Sequence, residues 1–68
     1  MKTSRKPLFL MRNGEKFVHE GILYTVYGHE GNMTEVFKDG RFWAWPSWDG
    51  RKPVIVNAVV NVSEHVTA

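Results

Sequence analysis

Apolar and polar positions alternate in short runs along this chain, and turn dipeptides break the alternation at close intervals. A period of two sends successive side chains to opposite faces of a strand. The pattern predicts strands joined by tight turns. It shows no helical period, heptad or internal repeat.

The sharpest signal lies in Met33–Trp48, MTEVFKDGRFWAWPSW. Asp39-Gly40 fits a two-residue type I′ loop, which needs positive φ at both central positions. It predicts hairpin strands at 33–38 and 41–45, pairing Lys38 with Arg41, Phe37 with Phe42, Val36 with Trp43, Glu35 with Ala44 and Thr34 with Trp45. Directly opposed residues share a face. One face then carries Met33, Glu35, Phe37, Phe42 and Ala44, and the other Thr34, Val36, Lys38, Arg41, Trp43 and Trp45. The first is expected to enter the core, because the second holds both basic residues.

Ile22–Tyr27 is rich in β-branched and aromatic residues, with Ile22, Tyr24 and Val26 as its core face. Gly28–Asn32 reads as a turn and Glu20-Gly21 as a break or bulge. Val54–Val62 is the longest strand signal, and Val54, Val56, Ala58, Val60 and Val62 form a continuous apolar face. Asn13-Gly14 suggests a further hairpin, 8–12 with 15–19, or else an arm laid across the rest. Pro46 ends a strand or marks an edge, and Ser47–Pro53 reads as a loop around Asp49-Gly50.

The expected fold is all-β: a small curled antiparallel sheet or SH3-like barrel of about four to five strands, since closing so small a sheet removes its edges. The expected organisation is a flexible basic N-terminal arm at 1–7, a single β domain at 8–62 and a C-terminal tail at 63–68. At 68 residues the chain is one domain at most, and 43% hydrophobic residues argue against disorder of the whole. The apolar face of the last strand and the tryptophan arm exceed what one barrel interior needs, which points to a homodimer.

Charge changes the picture little. Nine basic against seven acidic residues give a net charge of +2. Lys2, Arg5, Lys6, Arg12 and Lys16 concentrate at the start, where they suit phosphates or simply solubility. No cysteine is present, so disulfides and cysteine-based zinc sites are excluded, in keeping with a cytoplasmic setting. No apolar stretch approaches the roughly 20 residues of a membrane span.

No catalytic constellation emerges, and neither an enzyme nor a cofactor is expected. His19, His29 and His65 are widely separated, Ser47 and Ser63 lack a nucleophile context, and Asp39 and Asp49 are explained by turns. The glycines follow turn spacing rather than that of a phosphate loop. The candidate surface is aromatic and basic: Trp43, Trp45 and Trp48 beside Lys38, Arg41, Arg51 and Lys52, with Tyr27 nearby and Arg5 from the arm. Such a surface suits a protein-interaction or assembly module whose partner is another protein or its own copy. The alternative is single-stranded DNA or RNA, with tryptophans stacking on bases and cations on phosphates. In the bland reading, two of the three tryptophans are simply core.

Overall fold

A computed structural model describes residues 2–60. The expected strand end at Val62 and the tail 63–68 lie outside these residues. The elements are β1 (Thr3–Pro7), a 3-10 turn (Leu8–Leu10), β2 (Lys16–His19), β3 (Ile22–Glu30), β4 (Met33–Lys38), β5 (Arg41–Pro46), β6 (Trp48–Asp49), β7 (Lys52–Pro53) and β8 (Ile55–Val59).

The all-β expectation holds, but the barrel and its four to five strands do not. Among the described residues, eight strands form two sheets, one six-stranded in the order β1-β8-β2-β3-β4-β5 and one a β6-β7 ribbon. β2 to β5 form a meander, and β8 returns to lie between β1 and β2. The ladder is therefore open, with β1 and β5 as its edges. The sequence pattern missed the strands whose side chains are mostly exposed. Of the expected arm, Thr3–Pro7 pairs along its whole length with β8, from Thr3 opposite Val59 to Pro7 opposite Ile55.

The expected hairpin 8–12/15–19 is absent. Pro7 (φ −62°) has a fixed backbone. Beyond it, Leu8 N–H donates to the Val54 carbonyl (2.8 Å) and Met11 N–H to the Leu8 carbonyl (3.0 Å), closing a turn that buries Leu8 and Met11. β2 pairs instead with β3 and β8. Gly28–Glu30, expected in a turn, continues β3, and Glu20-Gly21 is a tight loop with φ of 52° and 79° rather than a bulge.

The central hairpin has the expected register, pair for pair, and Asp39 and Gly40 take the positive φ of the loop (51° and 76°). Its faces are the reverse of those expected. Thr34 and Val36 are fully buried, while Phe37 and Phe42 stay exposed. The cause lies in β3. From the turn pair Glu30–Met33, an unbroken ladder would set Val26 opposite Phe37. An irregularity between Val26 and Gly28 inserts one residue and sets Val26 opposite Val36. A one-residue shift exchanges the faces.

The core lies on one face of the large sheet. It comprises Phe17, Tyr24, Val26, Val36, Val56 and Ala58, completed by Leu8 and Met11, with Trp45 and Val54 packed against it. The expected core positions Tyr24 and Val26 in β3 and Val56 and Ala58 in β8 are confirmed, whereas Ile22, at the loop end of β3, is exposed. Val56 and Ala58 are buried within one chain, so this part of the apolar surplus from which a homodimer was inferred belongs to the chain's own core, whereas Trp43 and Trp48 of the tryptophan arm stay exposed.

Candidate interaction surface

A chain of polar contacts, buried at Thr34 and Ser47, fixes the loop after β5 to the sheet. The inserted residue in β3 turns His29 toward the core side, opposite Thr34. His29 Nε2 lies 2.6 Å from the Met11 carbonyl, and Nδ1 lies 2.9 Å from Thr34 Oγ1. A carbonyl only accepts, so Nε2–H donates, and a neutral ring accepts at Nδ1 from the Thr34 hydroxyl. Thr34 then accepts from the buried Ser47 hydroxyl at 2.6 Å. Ser47 N–H donates to the Asn32 carbonyl and Val54 N–H to the Ser47 carbonyl. The start of the β6-β7 ribbon is thereby held in place.

Trp45 points the same way and is largely structural. Its ring meets Tyr24, Phe17 and His19 edge-on, at centroid distances of 4.8, 5.4 and 5.1 Å. Trp43, two residues earlier, remains 47% exposed. Together Tyr24, Lys38, Trp43, Ala44 and Trp45 line a recess of ≈ 300 Å³. A second recess of ≈ 330 Å³ is lined by Lys38, Asp39, Arg41 and Trp43. The two share Lys38 and Trp43. The Lys38 ammonium lies 3.9 Å from an Asp39 carboxylate oxygen, and Arg41 has no ion pair among the described residues.

The other expected site residues do not join this group. Trp48 stacks on Phe9 (4.9 Å, 14°) in the ribbon, whose exposed loop carries Arg51 beside Lys52. Arg5 lies on the opposite edge strand, β1. The continuous aromatic-basic surface expected for a protein partner or for single-stranded nucleic acid is thus divided among separate elements.

Tyr27 belongs to the reverse face of the sheet. It packs edge-on against Phe42 (4.8 Å), which meets Phe37 (5.0 Å), and all three are exposed. Phe37 and Phe42 are the surface residues that sequence reasoning assigned to the core. The signal that could have found them is Gly28, which interrupts a strand of large residues where the bulge forms. Besides the Phe9–Trp48 stack, this small all-β domain therefore carries two surface aromatic clusters that flank β5, one on each side.

Among the described residues, no group of three or more His, Asp or Glu side chains is arranged to hold a metal ion. No helix among them is long and apolar enough to cross a membrane. Glu15 serves as a tie: it accepts from the Arg12 N–H (2.6 Å) and from the Lys6 ammonium (3.1 Å). The Arg12 bond lowers its pKa most, partial burial opposes, and Lys6 lowers it further. No family model matches the chain, and neither a curated protein nor a solved structure does.

Proposed function

We propose that this domain is a non-enzymatic protein-interaction module that binds a partner protein through the aromatic-basic surface of the β4–β5 hairpin. The observation that carries the reading is the pair of adjoining recesses built around Trp43 and Lys38, with Arg41 at the rim. A half-exposed tryptophan beside cations is a common anchor of protein interfaces. The rigid support comes from Trp45, whose contacts with Phe17 and Tyr24 tie the hairpin to the core. The proposal carries with it a cytoplasmic setting, in keeping with a chain that has no cysteine.

The test is selection from a library of displayed short peptides, followed by titration of the selected peptides against the Trp43→Ala variant. Trp43→Ala is expected to keep the thermal unfolding profile of the parent and to lose peptide affinity by about tenfold or more. Trp45→Ala is the folding control, and loss of its core contacts is expected to cost about 3 kcal/mol. Selection of no peptide, together with salt-sensitive quenching of tryptophan fluorescence by mixed-sequence single strands, would overturn the reading in favour of nucleic acid.

A further inference from the structure

The two aromatic clusters of this protein border the same strand. Phe42 presents the Tyr27/Phe37 cluster on one face of β5, and Trp43 and Trp45 present the recess on the other. Between them runs a sheet edge: β5 is last in the strand order, and its outer side has no partner among the described residues. In a two-residue hairpin the residues flanking the loop form a hydrogen-bonded pair, and bonded pairs then alternate along the ladder. Here Lys38–Arg41, Val36–Trp43 and Thr34–Trp45 are the bonded pairs. The N–H and C=O of Phe42 and Ala44 therefore point away from β4. Pro46, the next residue in that series, has no N–H to offer.

The other edge differs. β1 carries Arg5 and Lys6 in its short run, and charge of that kind guards an edge against pairing. β5 has charge only at its loop end, in Arg41, with Lys38 opposite. The rest of its edge is aromatic and apolar.

We infer that the partner adds to this sheet as a seventh strand: an extended segment pairs antiparallel with β5 through the main chain of Phe42 and Ala44. This inference rests on the interaction-module reading and names the partner's chemistry. Alternate residues of the segment meet Phe42 and Ala44 on one face and Trp43 and Trp45 on the other, so aromatic or β-branched side chains suit both faces. Arg41 and Lys38 stand at the end of β5 where an antiparallel segment finishes. The segment accordingly carries carboxylates at its C-terminal end. Strand addition of this kind draws affinity from main-chain bonds and specificity from the alternate side chains.

The probe is a synthetic peptide of alternating valine and tyrosine that ends in two glutamates, with a lysine-ended version as control. Nitrogen-15 spectra and amide exchange of the whole chain are read during titration. The expected result is new exchange protection at the Phe42 and Ala44 amides and a preference of about tenfold for the glutamate-ended peptide. Ala44→Pro removes an N–H that points outward, so it leaves the β4–β5 ladder intact and is expected to weaken binding by about tenfold or more. Arg41→Glu is an independent variant at an exposed site and is expected to reverse the charge preference. Quenching of tryptophan fluorescence with unprotected Phe42 and Ala44 amides, and equal binding by Ala44→Pro, would overturn strand addition while leaving the module reading in place. Concentration-dependent protection of the same amides without peptide would overturn it in favour of a second copy at this edge. Absence of binding by either peptide overturns it as well.

Discussion

The hydroxyl oxygens of Thr34 and Ser47 stand 2.6 Å apart, and both residues are buried. The contact joins β4 to the start of the ribbon and is one link in a directed series. With a neutral His29 ring, Ser47 donates to Thr34, Thr34 to His29, and His29 to the Met11 carbonyl. Thr34→Val removes the middle of the series and leaves the buried Ser47 hydroxyl without a partner, while the exposed His29 keeps its bond to the Met11 carbonyl. We expect a loss of about 1–3 kcal/mol, the cost of one buried orphan. Ser47→Ala removes only the first donor and should cost about 1 kcal/mol. Chemical denaturation of both single variants and the double variant checks this. The double variant should lose less than the sum, because the two changes share one bond.

Glu15 makes stability depend on acid. Its carboxylate accepts the Arg12 N–H and two contacts from Lys6, at 3.1 and 3.2 Å, and its pKa is lowered in the fold. A lowered folded value means that the charged form is favoured by folding. The stabilisation is therefore fully present above the ordinary glutamate value and disappears as pH falls through the lowered one. Glu15→Gln is expected to flatten this part of the stability–pH curve and to have its effect at neutral pH. Equal slopes for parent and variant between about pH 5 and pH 3 would count against the assignment.

Two glycines separate backbone strain from packing. Gly21 sits at φ +79° and Gly28 does not have a positive φ, yet a Cβ at either would meet nothing within 4 Å. Gly21→Ala should cost about 1–2 kcal/mol from the left-handed backbone alone. Gly28→Ala should fall within about 0.5 kcal/mol of the parent or add slightly to stability through the unfolded state. Thermal unfolding of the two variants side by side decides it.

The sequence was legible where structure is set locally. Asp39-Gly40 specifies its own loop, and every pair of the central hairpin follows from it. Tyr24 and Val26, and Val56 and Ala58, could be placed in the core because their opposite neighbours are more polar or more exposed. The facing of β4 and β5 was not legible, because both sides of that hairpin carry aromatic residues and the choice is made in β3. One inserted residue near Gly28 decides whether Val36 or Phe37 meets Val26. β1 was missed for a different reason. Its pairing with β8 runs through the main chain, while periodicity reports only on side chains, and those of Thr3, Ser4 and Arg5 are exposed. The candidate surface was half legible for the same two reasons. Trp43, Lys38 and Arg41 do gather, whereas Arg5 and Trp48 lie on other elements and Tyr27 on the reverse face.

The position of β8 between β1 and β2 also orders events in time. Thr3–Pro7 is made long before Ile55–Val59, its neighbour among the described residues, so β1 must wait for a partner from the far end of the sheet-forming sequence. The meander from β2 to β5 can assemble from contacts close in sequence, but Phe17 meets Ala58, and β1 gains its hydrogen bonds, only after the last strand emerges. Contacts of such long separation carry the largest loop-closure cost. Closure by β8 is therefore a single late event that completes two ladders at once, one on β1 and one on β2.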